Sequence, residues 1–210
     1  MVGHFAAGRG RLAHDAWSGW GTGVVAQSAQ VYTDGSYSAA MANSAWSVAV
    51  GDAWLLDGYQ AIPTDERLLR PIHVDGATLV GASIVCTEGI YAAELQAIAR
   101  ALAMLPLSFS LEIHSDSQAA IAAIHSYEEQ LNERKRLRMS ARPILQLVHD
   151  LLLRRSAAGG WADLHHVAAH SSKSDLHSVG NRLADYQANL SRSHADRRAP
   201  LTLRELPLES

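Results

Sequence analysis

Four carboxylates stand in four separate contexts along the chain. They are Asp34 in Val-Tyr-Thr-Asp-Gly-Ser (31–36), Glu94 in Tyr-Ala-Ala-Glu-Leu-Gln-Ala (91–97), Asp116 in Ile-His-Ser-Asp-Ser-Gln (113–118) and Asp185 in Gly-Asn-Arg-Leu-Ala-Asp (180–185). Each follows or borders an apolar stretch, where a lone carboxylate is costly to bury. Four together become tolerable if they converge on bound cations. A ligand set made only of carboxylate oxygens selects hard ions such as Mg²⁺ or Mn²⁺. Two such ions about 4 Å apart activate a water and stabilise a departing oxygen in phosphodiester cleavage. Taken singly, each acid has a plainer reading. Asp before Gly is an ordinary turn residue, a helical Glu is ordinarily solvated, and Ser-Asp-Ser is an ordinary helix cap. The order of all four along the chain carries the case.

The elements that must position them are readable from periodicity. Val31-Tyr32-Thr33 is β-favouring, with a stop predicted at Gly35-Ser36, so Asp34 ends a strand. Ser44 to Val50 fits a second strand, and Ile72 to Val85 a strand or hairpin turning at Asp75-Gly76. Residues 52–71 read as a loop or extended hairpin. Tyr91, Leu95, Ile98, Leu102 and Leu105 recur at helical spacing from about Ile90 to Leu105, Pro106 stops the run, and Glu94 borders the stripe. Leu111 to His114 reads as a short strand ending at Ser115-Asp116. Either of those two is placed to cap the next helix, with Ala120, Ile121 and Ile124 inward.

Pro143 suits the first turn of a helix whose inner face is Ile144, Leu147, Val148, Leu151 and Leu152, closed by Ala158-Gly159-Gly160. Trp161 to Ala169 alternates as one more strand. Ser178 opens a last helix with Val179, Leu183, Tyr186 and Leu190 inward and Asp185 beside Tyr186. The order is three strands, a helix, a strand, helices, a strand and a helix. That describes an α/β protein, a mixed sheet with helices on its faces.

Composition sets outer limits. A chain of 210 residues with 48% hydrophobic and 19% charged residues carries enough apolar material for one substantial core. The formal charge of −3 excludes a uniformly basic nucleic-acid coat, yet Arg134, Lys135, Arg136, Arg138 and Arg142 crowd one short stretch. Cys86 is the only cysteine, which rules out an intrachain disulfide and a cysteine-rich zinc site. No apolar run approaches the ~18 residues of a membrane span, and no secretory signal stands out, so an intracellular protein without a membrane partner is expected.

Taken together, Tyr32-Thr33-Asp34-Gly35-Ser36, Ala93-Glu94-Leu95-Gln96-Ala97, His114-Ser115-Asp116-Ser117-Gln118 and Gly180-Asn181-Arg182-Leu183-Ala184-Asp185 closely resemble the ribonuclease H family. The resemblance spans residues 30–192, leaving an N-terminal arm at 1–29 and a tail at 193–210. It implies a five-stranded mixed sheet flanked by helices, with Asp34, Glu94, Asp116 and Asp185 holding two Mg²⁺ ions and Mn²⁺ as a substitute. It implies an endoribonuclease that hydrolyses the RNA strand of RNA–DNA hybrids to 5′-phosphate and 3′-hydroxyl ends.

Family members often carry a mobile histidine after the last strand. Val167-Ala168-Ala169-His170 resembles that strand end, which makes His170 the candidate ahead of His177; a histidine titrating near neutrality suits proton transfer. The loop from Ser171 to Val179 resembles the longer loops of reverse-transcriptase-associated members, so a polymerase assembly is a possible partner beside the hybrid itself. Gln118 matches a family position at the minor groove, and Asn43 is a further candidate contact. Many relatives place Asn or Gln three and four residues before the glutamate; this chain has Tyr91 and Ile90 there, and Tyr91 is available to stack or hydrogen-bond. Arg134, Lys135, Arg136 and Arg138 fall where several relatives carry a basic protrusion, so phosphate contacts are expected of them. Two alternatives remain. One is a DNA nuclease of the resolvase or integrase kind on the same fold, and the other is a non-catalytic hybrid-binding module of a reverse transcriptase.

Overall fold

The computed structural model describes residues 28–39, 43–51, 66–68, 72–74, 77–84, 89–169 and 175–196. In chain order its elements are β1 (Ser28–Ser38), β2 (Asn43–Gly51), β3 (Glu66–Leu68), β4 (Ile72–Val74), β5 (Ala77–Ile84), α1 (Ile90–Met104), β6 (Ser110–Ser115), α2 (Gln118–Glu129), α3 (Glu133–Arg136), α4 (Arg142–Ala157), β7 (Ala162–His166) and α5 (Leu176–Asp196). The longer strands lie in the order β5-β2-β1-β6-β7. Pairing is antiparallel from β5 to β1 and parallel from β1 to β7, so the sheet is mixed as expected. The three-residue strands β3 and β4 both pair with β5. β3 falls inside the stretch read as loop; most of that stretch, and the turn expected at Asp75-Gly76, lie outside the described residues.

Side chains alternate across a strand, so Val31, Thr33 and Gly35 face one side of the sheet and Tyr32, Asp34 and Ser36 the other. The first side meets α1, and with α2 and α4 it forms the larger core, in which Val31, Leu95, Ile98, Leu102, Leu111, Ile113 and Leu145 are fully buried. α1 reads almost all apolar and is almost wholly buried from Ala92 to Met104. Its C-terminal carbonyls would be left without partners after Pro106. Arg155 of α4 meets them, its guanidinium donating to the carbonyls of Leu102, Leu105, Pro106 and Phe109 at 2.7–3.1 Å. Burial lowers the pKa of this side chain to about 10, which leaves it charged at neutral pH.

The second side of the sheet is covered by α5. Here the apolar stripe misleads. Val179, Leu183, Tyr186 and Leu190 were expected inward, yet Tyr186 is 56% exposed, and the buried positions are Ser178, Gly180, Asn181, Ala184, Gln187, Ala188 and Ser191. The reason is distance. A Cβ at Gly180 would stand 2.4 Å from the Tyr32 ring, so the helix lies too close to the sheet for large side chains. Asp175, not Ser178, caps α5, its carboxylate accepting from the Ser178 amide at 3.0 Å and hydroxyl at 2.8 Å. Among the described residues no helix is long and apolar enough to cross a membrane.

Gly180→Ala tests this close packing. Alanine ordinarily stabilises a helix interior by up to about 1 kcal/mol. Against the buried Tyr32 ring, overpacking of about 1–3 kcal/mol dominates. The melting temperature should fall by several degrees at about 2–4 °C per kcal/mol. A rise would contradict the contact.

Candidate metal centre

β1 and β6 run parallel with Thr33 opposite Ser115, so the next residues, Asp34 and Asp116, emerge on neighbouring strands. β1 does not stop at Gly35-Ser36 as expected but continues to Ser38. Gly35 serves a different purpose there. α1 crosses β1 so closely that a Cβ at Gly35 would lie 2.6 Å from the Glu94 nitrogen and 2.8 Å from the Ala93 carbonyl carbon. Glycine lets the helix backbone touch the strand, and the contact delivers Glu94 to Asp34. One carboxylate oxygen each from Asp34, Glu94 and Asp116 lie within 4.8 Å of one another.

Asp34 and Glu94 are only 5% and 6% exposed, and Glu94 Oε2 is buried without a hydrogen-bond partner. Burial first, then the neighbouring acids, pushes the Asp34 carboxyl up to about 8, against a smaller opposing hydrogen bond from the Gly35 backbone. The same causes push Glu94 up to about 9, with Asp34, Asp116 and Asp185 all contributing. Carboxyls that resist ionising beside one another, with an orphaned buried oxygen among them, fit a hard divalent cation: its charge removes the repulsion and its coordination uses the spare lone pairs.

Asp185 reaches the site from α5 and stands outside the three-carboxylate group, although its charge is felt at Asp34 and Glu94. α5 is seated beside β2 by Ser47, whose hydroxyl donates to the Ala184 carbonyl at 2.6 Å. Two asparagines one turn either side of Asp185 complete the surroundings. Asn181 Nδ2 donates to Asp116 Oδ2 at 3.3 Å, and Asn189 Nδ2 donates to Asp185 Oδ1 at 2.8 Å. Neither was assigned a role from sequence. Their signal was the spacing of four residues on both sides of Asp185, which places all three on one helix flank.

The other expected residues fall in several places. Gln118 is exposed at the first position of α2, its backbone amide donating to the Asp116 carbonyl at 3.1 Å. The cap of α2 is Ser117 rather than Ser115 or Asp116, accepting from the Ala120 amide at 3.4 Å, which leaves the Asp116 carboxylate free of capping. Tyr91 lies half-buried against the core in the first turn of α1, and burial raises its pKa; Ile90 beside it is 48% exposed. Asn43 starts β2 opposite Ser38, its side chain outside the described residues. Arg134, Lys135 and Arg138 are exposed around α3. Arg136 instead turns back, donating to the Tyr127 carbonyl at 3.1 Å and lying 4.8 Å over the Tyr127 ring.

His170 lies outside the described residues. His177 sits at the start of α5, its ring 4.4 Å from that of His114 and its Nδ1 3.3 Å from the Tyr32 hydroxyl. The cross-strand row Tyr32–His114–His165 stacks at 4.9 and 5.2 Å between ring centroids. His114 in its middle is buried, with both ring nitrogens unpartnered, and desolvation, then His177 and His165, lowers its pKa to about 4. This packing row was not legible as such in the sequence.

Carboxylates gathered at the carboxyl ends of central parallel strands, with a donor set suited to hard cations, define the class: an α/β protein with an acidic metal centre. The family model of RNase H matches residues 72–192, more than half of the chain, and the chain belongs to that family. The match takes in Glu94, Asp116 and Asp185 and begins after β1; geometry joins Asp34 to Glu94 and Asp116. Among curated proteins the comparison finds no match. RNase H domains are nucleases that act on RNA–DNA hybrids.

The raised carboxyls fix a pH dependence with a definite sign. Unfolded Asp and Glu ionise near pH 4. The folded pair holds its protons to about 8 and 9. Their contribution to stability is therefore full below about pH 4 and declines as pH rises towards 8–9. In metal-free protein Asp34→Asn should raise the melting temperature at pH 8 and leave it little changed at pH 4. Equal shifts at both values in calorimetry would contradict the assignment.

Proposed function

We propose that the protein hydrolyses the RNA strand of RNA–DNA hybrids, leaving 5′-phosphate and 3′-hydroxyl ends, with residues 30–192 as the catalytic domain. The observation that carries this reading is the convergence of Asp34, Glu94 and Asp116 within 4.8 Å in a member of the RNase H family. Asp34, Glu94, Asp116 and Asp185 would hold two Mg²⁺ ions, with Mn²⁺ able to replace them. Ions bound there supply the Lewis acidity that activates water and stabilises the leaving oxygen.

The remaining work falls to the chain itself. The carboxylates of Asp34, Glu94 and Asp116 fix where the scissile phosphate sits. His170 is the proposed proton carrier. Gln118, exposed next to Asp116, is the first candidate for a minor-groove contact, with Asn43 and Tyr91 beyond it. Ile90 and Tyr91 replace the amide side chains many relatives carry, so recognition of the RNA 2′-hydroxyl leans more on Gln118. Arg134, Lys135 and Arg138 contact phosphates, while Arg136 braces the segment against α2. A reverse transcriptase or another polymerase assembly is the proposed setting.

Cleavage of a labelled hybrid with Mg²⁺, beside the same RNA alone, in duplex RNA and in branched DNA, tests the proposal. Hybrid-selective, EDTA-sensitive cutting is expected, and Asp116→Asn should lower it by about a hundred- to a thousandfold with the fold intact. Cutting of branched DNA instead would point to a resolvase-like enzyme, and hybrid binding without turnover to a non-catalytic module; either result overturns the proposal. Replacing Arg134, Lys135 and Arg138 with Gln should weaken hybrid binding and flatten its salt dependence by up to about 0.9 in log–log slope per lost phosphate contact. An unchanged slope would remove this segment from the interface.

A further inference from the structure

Asp185 differs from the other three carboxylates in how it is held. Asp34, Glu94 and Asp116 are fixed by the strand ends and by the α1 crossing, whereas Asp185 rides on a helix that touches the sheet through small residues. One side chain links it back. Asn189 Nδ2 donates to Asp185 Oδ1 at 2.8 Å and to the Asp185 carbonyl at 3.0 Å. Asn189 Oδ1 accepts from the Ser36 hydroxyl at 3.1 Å and from Arg192 Nη2 at 3.2 Å. Both N–H groups and both lone pairs of the amide are then used. The amide has one workable orientation, because a flip would set its oxygen against two Asp185 oxygens and its N–H groups against the Arg192 guanidinium.

Ser36 is buried on β1, two residues beyond Asp34 and on the same face of the strand. The chain of contacts Asp185–Asn189–Ser36 therefore ties the helix-borne acid to the strand that carries Asp34. We infer that Asn189 is a positioning residue, which orients Asp185 for a divalent cation without neutralising it. This inference rests on the reading of Asp185 as a cation ligand. The chemistry favours an amide here. A Lys or Arg four residues after Asp185 would pair with it directly. Such a pair would compete with the metal for the carboxylate's charge. Asn189 supplies direction alone, and its oxygen keeps the Arg192 guanidinium one residue removed from Asp185.

Calorimetric titration of Mn²⁺ and Mg²⁺ into metal-free full-length protein, without substrate, gives a readout independent of turnover. Asn189→Ala should weaken binding at one site by about tenfold, as loss of a group that orients a metal ligand typically does. Asn189→Lys should weaken it further, because it adds a competing charge, and Ser36→Ala should fall between wild type and Asn189→Ala. In cleavage assays, Asn189→Ala should raise the Mg²⁺ concentration for half-maximal activity by a similar factor. At saturating Mg²⁺ most of kcat should return, with the KM for hybrid unchanged; a merely structural defect would not be rescued by metal.

Asp185→Asn separates the inference from its premise. If it weakens cation binding and Asn189→Ala does not, the positioning role is wrong. If Asp185→Asn leaves cation binding unchanged, or wild type binds no cation, the premise fails and the inference falls with it. Should Asn189→Ala not fold, Ser36→Ala with unaltered cation binding would equally overturn the role.

Discussion

Like charges held together out of water repel, and the fold gathers Asp34, Glu94 and Asp116 in spite of it. No two of them would remain ionised in contact unless the fold compelled it or a cation relieved it. The compulsion comes from backbone. β1 lies inside the sheet, paired on both sides. The parallel register with β6 fixes Asp116 beside it. The contact between Gly35 and the α1 backbone fixes Glu94 above it, and Arg155 clamps the far end of that helix. The folding free energy of the larger core thus holds the acids together, and burial beside one another raises the Asp34 and Glu94 carboxyls.

The two faces of the sheet divide the work. On the α1 side, large aliphatic side chains fill the space and supply stability. On the α5 side, small and polar residues allow a close approach, and the helix carries Asp185, Asn181 and Asn189 on one flank. Close approach brings specificity of position at a cost in packing, since Gln187 and Asn181 bury polar atoms that have no partner. Hydrogen bonds from Ser47 to the Ala184 carbonyl and from Ser36 to Asn189 fix how the helix sits on this face.

Much of this was readable in the sequence, and the misses share a cause. The helix of Glu94, the strand before Asp116 and the proline-initiated helix α4 announced themselves through apolar periodicity and punctuation, because each buries a wide apolar face. The gathering of Asp34, Glu94 and Asp116 was legible through their contexts and order. Gly35 was misread because glycine marks turns and close backbone approaches alike, and only the partner element tells them apart. The inner face of α5 was misread because periodicity locates large apolar residues, while this interface selects for small ones. Arg155, Asn189 and the Tyr32–His114–His165 row act across long sequence separations, so no local pattern could display them.

Uptake of a divalent cation by the proposed site requires Asp34 and Glu94 to give up their protons. Titrating Mg²⁺ into metal-free protein at pH 7 in buffers of different ionisation enthalpy counts the protons released on binding. Asp34 and Glu94 hold their protons to about 8 and 9, so binding should expel between about one and two of them. Binding with no proton release, or no binding, would contradict the account.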